Sequence, residues 1–395
     1  MRPETLAITS SKNYKKNQGT VNTPIHKTST ILFETWQKYM EADSGQDVYQ
    51  SGNGQVADFS YGIGGTPTRF DLQKTLAEIE GAEYALVAPS GLSAITTVLL
   101  ALVSSGDHIL ITDSVYGPTR RFCNKELKRL GVETEYYDPL IGAGIKDLIR
   151  DNTKLIFTES PGSLTFEIQD IPAISNAAKQ RDIAVITDNS WGTSFYFKPF
   201  EHGVDISIQA GTKYIGGHSD LIIGTITCNN KYIKQIFNTY KNLGISVAPE
   251  DCYMALRGIR TMPTRIKAHE QSALSMAKWL EKHPKVKSVL HPALPSFEGH
   301  KIWKRDFLGS TGLFTIILDK KYSYESICDM INGMKYFGIG ASWGGYESLI
   351  IHFDPKTIRT AKKWDIEESC IRLYIGLEAE EDLKEDIESG LKRLG

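Results

Sequence analysis

Between residues 84 and 209, short runs of β-branched and apolar residues alternate with stretches of helical periodicity, joined by connections of only a few residues. Strands are expected over 84–87, 108–112, 132–137, 155–158, 183–187 and 206–209, with helices over 92–103, 119–130, 145–150 and 171–179. A strand that reaches the next strand through a helix runs parallel to it, so the pattern predicts an α/β fold: a mostly parallel sheet covered by helices. In such sheets ligands bind outside the carboxyl ends of the strands, which is where chemistry-bearing residues are to be sought.

The flanks read differently. Residues 1–60 are polar, with weak periodicity, and are expected to form an arm that contacts a neighbouring subunit. A glycine-rich stretch from Phe59 to Thr68 leads into a helix that Thr68 and Asp71 open as a capping box, carrying Leu72, Leu76 and Ile79 and stopping at Gly81. Beyond a strand at 224–228, helices are expected over 231–243 and, after Pro263, over 266–280, with a hinge at 284–295. Strands at 312–318 and 371–375 and helices at 324–334 and 381–394 then read as a smaller α+β unit. The organisation expected is an arm (1–60), a large domain (61–285) and a smaller C-terminal domain (286–395), because 395 residues exceed one compact core.

Composition narrows the function. Lysine and arginine total 45 against 47 aspartates and glutamates, a formal net charge of −2, and no run of like charge is long enough to track a nucleic-acid backbone or an anionic membrane. The most apolar stretch, 94–103, is far short of the roughly 20 residues of a membrane span, and residues 1–20 lack the apolar core of a secretory signal. A soluble cytoplasmic protein with a small-molecule ligand is expected. Five widely spaced cysteines suit a reducing compartment, and the nine histidines show no metal-ligand spacing. His218 alone stands near a candidate site, where its ordinary reading is structural.

Five features fall at strand ends or, in one case, within a strand. Lys213 follows the strand at 206–209 and precedes Gly216-Gly217; an amine so placed forms a Schiff base with an aldehyde if its surroundings lower its basicity. Asp188 ends the strand at 183–187, where an ionised carboxylate wants a cation such as a protonated pyridine nitrogen. Ser90-Gly91-Leu92 opens a helix directly after a strand, and free N–H groups there favour phosphate. Tyr116 can stack on a planar ring, and Arg372, inside an otherwise apolar strand, wants a carboxylate to grip. Each has a bland alternative: a solvated lysine, an aspartate capping a turn, an ordinary strand–turn–helix junction, a packing tyrosine, an internal salt bridge. Their conjunction supplies aldehyde attachment, ring-nitrogen partner, phosphate cup, ring stacking and carboxylate clamp, which together describe a site for pyridoxal 5'-phosphate (PLP).

From about Tyr61 to the C-terminus the chain resembles the PLP-dependent enzymes of cysteine and methionine transsulfuration, and among them the bacterial β-lyases. The resemblance lies in Tyr61-Gly62 with Gly65-Thr66, Ser90-Gly91-Leu92, Tyr116-Gly117, Glu159-Ser160-Pro161-Gly162-Ser163, Asp188-Asn189-Ser190-Trp191, Ala210-Gly211-Thr212-Lys213-Tyr214 with Gly217-His218-Ser219-Asp220, and Ser342-Trp343-Gly344-Gly345-Tyr346-Glu347-Ser348. It implies the PLP-dependent transferase-like fold (fold type I), with Lys213 binding PLP as a Schiff base, Asp188 pairing with the ring nitrogen and Tyr116 stacking on the ring. Gly91, Leu92 and Thr212 would cradle the phosphate, with Tyr61 reaching it from a neighbouring subunit. Arg372, helped by Ser342 and the backbone near Trp343, would bind the substrate α-carboxylate. A homotetramer of dimers with shared active sites is implied, with no nucleic acid, membrane or metal. Two positions depart from the pattern: Ile63 stands where an arginine normally completes the phosphate grip, with Arg69 a candidate to compensate, and Ala210 stands where sister enzymes often have serine.

The activity implied is that of a carbon–sulfur lyase in methionine biosynthesis, splitting L-cystathionine by β-elimination into homocysteine, pyruvate and ammonia, with Lys213 and Tyr116 as catalytic groups. The alternatives are γ-elimination from cystathionine or methionine, alanine racemisation through the same Cα carbanion, and a PLP-binding protein that has lost turnover.

Overall fold

The computed structural model describes residues 1–12, 15, 17–43, 48–50, 55–57 and 60–395; Phe59 and parts of the expected N-terminal arm lie outside the described residues. A hairpin of β1 (Val48–Gln50) and β2 (Gln55–Ala57) precedes the main sheet. That sheet contains β3 (Tyr84–Ala88), β4 (His108–Thr112), β5 (Glu133–Tyr137), β6 (Thr153–Glu159), β7 (Ala184–Asp188), β8 (Ile206–Ala210) and β9 (Gly224–Cys228), in the spatial order β3-β9-β8-β7-β6-β4-β5. The strands from β8 across to β5 are mutually parallel, whereas β9 runs antiparallel to both β3 and β8.

Burial on both faces explains the continuous apolar runs. Along β3, Ala85 and Val87 enter one core with Leu72, Leu76 and Ile259, while Tyr84, Leu86 and Ala88 enter another with Val98, Ile236 and Phe237. Alternate residues of a strand face opposite sides, so a strand clothed by helices on both sides has no polar face to show. The helix Gly91–Leu102 starts at Ser90, whose side chain accepts the Ser93 N–H at 3.0 Å, and Ile171–Lys179 starts at Asp170, which accepts from Ala173 at 3.2 Å.

A second, five-stranded sheet follows: β10 (Val286–Leu290), β11 (Leu313–Leu318), β12 (Gly338–Ile339), β13 (Leu349–Phe353) and β14 (Cys370–Tyr374), ordered β10-β11-β14-β13-β12. It packs on Tyr324–Asn332 and Glu380–Lys392 around Phe314, Met330, Leu373 and Ile387.

Four expectations are corrected. Residues 249–280 form one helix, Pro249–Leu280, which runs through Pro263. An internal proline costs about 3 kcal/mol, but Leu256, Ile259 and Met262 before it and Ile266, Met276 and Leu280 after it are all buried, at roughly 1.5–3 kcal/mol each, so packing on both sides outweighs the lost hydrogen bond. The helix Pro67–Glu80 is preceded by Thr66, with Pro67 in its first turn. Thr68 and Asp71 do not cap it; Thr68 accepts the His26 N–H and donates to the Pro24 carbonyl, both at 2.8 Å, and Asp71 accepts from Thr23 at 2.6 Å, fastening the preceding segment to the helix. The stretch expected as a helix over 145–150 is the 3-10 helix Gly142–Leu148, and the hinge at 284–295 contains strand β10.

Candidate active site

The carboxyl ends of β6, β7 and β8 and the turn after β3 open on one cavity of about 280 Å³, lined by Gly91, Leu92, Tyr116, Glu159, Asp188, Thr212, Lys213, Trp343 and Arg372 among others. The parallel strands deliver Glu159, Asp188 and Lys213 because they all end on the same side, while Trp343 and Arg372 come from the second sheet and its β12–β13 loop.

Lys213 sits in the turn after β8. Its Nζ donates to Ser342 Oγ at 2.7 Å and stands 5.3 Å from the centre of the Trp343 ring. Burial, reinforced by the positive charge of Arg372 and opposed by Asp188, lowers its pKa to about 8, which makes the neutral, nucleophilic amine accessible near physiological pH. The loop bearing Ser342 and Trp343 comes close enough only because Gly344 has φ of 89°, and a Cβ there would lie 2.7 Å from the Lys213 carbonyl carbon.

Asp188 ends β7, beside Glu159 at the end of β6. It accepts the Ser190 N–H at 2.9 Å and makes no ion pair among the described residues. Burial raises its pKa against the Ser190 hydrogen bonds and the charge of Lys213. A carboxylate in that position is short of a cation. Glu159 accepts the Tyr116 N–H at 2.7 Å, and burial together with Asp188 pushes its carboxyl well above the usual range. Glu159 stood in a recognised motif without a role; its proximity to Asp188 follows from strand order, which no local pattern shows. The Tyr116 phenol is raised by burial and by the same two carboxyls, while its ring remains 45% exposed.

At the helix start, Ser90 caps Ser93 and leaves the N–H groups of Gly91 and Leu92 without intrahelical partners. A Cβ on Gly91 would come within 2.8 Å of the Ala210 Cβ, so this approach of helix to strand end requires glycine. Thr212 Oγ1 accepts the Ile223 N–H at 3.0 Å and donates to the Ile223 carbonyl at 3.2 Å, so its proton is already engaged.

Arg372 lies in the middle of β14, between Thr315 of β11 and Ile351 of β13, and is 6% exposed. Its Nη2 donates to the carbonyls of Gly340, Ala341 and Ser342 at 3.2, 3.0 and 3.1 Å, and its buried Nε has no partner. It makes no ion pair among the described residues, which removes the internal salt bridge as its explanation.

The structure does not bring Tyr61 into this cavity. It is 51% exposed and lines a separate surface recess with Ile63 and Arg69. Arg69 is buried, its guanidinium held by the carbonyls of Ile63 and Gly64. Those bonds commit it to the local turn. His218 Nδ1 contacts the Gly216 carbonyl at 2.8 Å, a structural arrangement. Among the described residues no cluster of three or more metal-ligating side chains occurs, and no helix is long and apolar enough to cross a membrane.

The residues fit pyridoxal phosphate: two unbonded N–H groups at a helix start, a buried carboxyl lacking a cation, a lysine of lowered pKa and an aromatic ring line the same cavity. The model for Cys/Met metabolism PLP-dependent enzymes matches residues 4–392. The chain belongs to that family. Its cofactor is therefore pyridoxal 5'-phosphate and its fold is fold type I. Among relatives of the family, the L-alanine/L-glutamate racemase of Wolbachia pipientis wMel is 45% identical, covering 100% of this chain and 98% of its own. The cystathionine beta-lyase MetC of Escherichia coli K12 is 39% identical over 99% of this chain and 98% of its own. The crystal structure of MetB from Corynebacterium glutamicum superposes with a TM-score of 0.89 at 26% identity, covering 100% of this chain and 99% of that one.

Proposed function

We propose that the protein is a cystathionine β-lyase, releasing homocysteine, pyruvate and ammonia from L-cystathionine and water. The observation that carries this reading is a single cavity in which a lysine of lowered pKa is hydrogen-bonded to the Ser342 loop, with Asp188 and an incompletely satisfied Arg372 in the same lining; full-length relatives bearing that name support it. Bound pyridoxal phosphate supplies an aldehyde that takes up the substrate amine and a ring that absorbs the electron pair left at Cα.

In this reading Lys213 attaches the cofactor, Asp188 holds the ring nitrogen protonated, Tyr116 covers the ring, Gly91 and Leu92 receive the phosphate, and Thr212 joins them once its hydroxyl proton turns from the Ile223 carbonyl. Arg372 offers its unpaired Nε to the substrate carboxylate, and Ser342 and Trp343 shape that end of the cavity. Lys213 Nζ, once free and neutral, removes the Cα proton. The departing sulfur takes a proton from Lys213 Nζ or from the Tyr116 phenol, which stays protonated at neutral pH because burial and two nearby carboxyls raise it. Residues 61–285 and 286–395 form the two domains of this account.

A homo-oligomer that shares its active sites, read as a tetramer of two dimers, is supported by two observations. Tyr61 lies outside the cavity of its own chain, and the arm presents Val21, Leu32, Trp36 and Met40 to solvent. A cytoplasmic location accords with this chemistry.

Incubation with L-cystathionine tests the activity. Pyruvate is the expected keto acid; 2-oxobutyrate would assign γ-elimination, and neither product would leave a PLP-binding protein without turnover. A second reading, alanine racemisation, is favoured by the 45% identical relative named for it. Chiral analysis after incubation with L-alanine decides it: persistence of the pure L form removes that activity.

A further inference from the structure

Glu159 closes β6 in register with Asp188 at the end of β7, and both line the catalytic cavity. Partners in register on adjacent parallel strands point to the same face, so two carboxyls stand side by side at one end of the site. They are used differently. Asp188 accepts the Ser190 N–H at 2.9 Å, whereas Glu159 Oε2 accepts the backbone N–H of Tyr116 at 2.7 Å, reaching the turn between β4 and the helix Gly117–Phe122. That turn has other ties, from the Val115 N–H to the Thr112 carbonyl at 3.1 Å and from the Ser163 N–H to the Ser114 carbonyl at 2.8 Å, but the N–H of Tyr116 itself goes to Glu159. The ring leaves the residue whose N–H is gripped, and a side chain 45% exposed gets little help from packing, so this bond fixes where the ring lies over the cavity.

A protonated ring nitrogen needs one negative charge, which Asp188 is placed to supply. A second full charge at Glu159 would meet like-charge repulsion with nothing to offset it: Glu159 makes no ion pair among the described residues, the cations of the cavity lining are Lys213 and Arg372, and Arg359, the nearby cation behind the wall, is already paired with Glu167 at 2.7 Å. Burial and then Asp188 hold the Glu159 carboxyl well above the usual range, against the Tyr116 hydrogen bond and the charge of Arg359. A protonated carboxyl keeps a carbonyl oxygen that accepts an N–H, so the grip on Tyr116 requires no charge.

We propose that Glu159 is a positioning residue that acts through Tyr116, holding the tyrosine ring over the cofactor by accepting one backbone hydrogen bond and contributing no charge of its own. The inference rests on the reading that Tyr116 covers the ring, and not on which reaction follows.

Cofactor binding tests it apart from turnover. Pyridoxal phosphate is titrated into cofactor-free protein, and the dissociation constant and the induced circular dichroism of the cofactor's visible band are measured. Glu159→Gln keeps an acceptor of the same size and is expected to bind within about twofold of the native protein with the same band, whereas Glu159→Met, which fills the space but accepts nothing, should bind about tenfold more weakly with a reduced band. In a Tyr116→Ala background the Glu159→Met change should move affinity by less than about twofold, because a contact that acts through a side chain has no effect once that side chain is gone; a merely structural role would show in both backgrounds. The proposal is overturned if Glu159→Gln loses as much as Glu159→Met, if Glu159→Met changes neither readout, or if its effect persists without the Tyr116 ring. Should Tyr116→Ala itself leave affinity and band unchanged, the covering role of Tyr116 fails and this inference with it, whereas a lack of lyase activity alone alters neither readout. If Glu159→Met does not fold, Glu159→Gln decides: binding within about twofold upholds the proposal and a tenfold loss overturns it.

Discussion

Lys213 shows how neighbours convert an ordinary side chain into a reactive one. An exposed lysine is almost wholly protonated at neutral pH; here burial and Arg372 bring the pKa to about 8 while Asp188 partly opposes them. The sign is definite: a lowered value means that the neutral amine is scarce below pH 8 and prevails above it. The rate at which cofactor-free protein captures pyridoxal phosphate, followed by absorbance, should therefore rise with pH and level off just above 8. A rate still climbing beyond pH 10 would mean that the lysine is unperturbed. Lys213, Asp188, Tyr116 and Arg372 were legible because each lies in a strand or just beyond its end and is a residue that needs a partner, and the structure gathers all four. Glu159 gained its significance only from pairing beside Asp188, a relation set by strand order and invisible to local pattern. The open question at Ile63 likewise turned on orientation, since Arg69 faces the carbonyls of its own turn.

The loop joining β12 to β13 brings Ser342 and Trp343 against Lys213. Gly344 combines a left-handed backbone with a contact on Lys213 that no Cβ can share. Gly344→Ala should cost about 1–2 kcal/mol for the backbone conformation alone and, by displacing Ser342 from Lys213, lower kcat/KM at least about tenfold. Thermal denaturation and steady-state kinetics would check both, and an unchanged kcat/KM would show that the loop does not position the lysine. The parallel strands and their helices were readable because burial on two faces leaves a distinctive apolar run. The helix through Pro263 was not, since proline is a local signal and the packing that overrides it comes from residues distant in sequence. Nor was the reversed direction of β9: an apolar strand looks the same from either end, and its neighbours decide its sense.

At the scale of the whole molecule, one chain gathers Lys213, Asp188, the helix start at Gly91 and Leu92, and Arg372 around one cavity, but keeps Tyr61 and its recess apart. The proposed assembly with shared sites would account for that separation and for the exposed apolar residues of the arm. Light scattering should give a mass that is a multiple of the 44.1 kDa chain, four being expected; a monomer with full activity would show each chain complete in itself. The proposed chemistry rests on a covalent bond between Lys213 and the cofactor. Borohydride reduction of the holoenzyme followed by proteolysis and mass spectrometry measures it directly. The account predicts a pyridoxyl adduct on Lys213 and on no other lysine, lost in Lys213→Ala; an adduct elsewhere, or none, would contradict it.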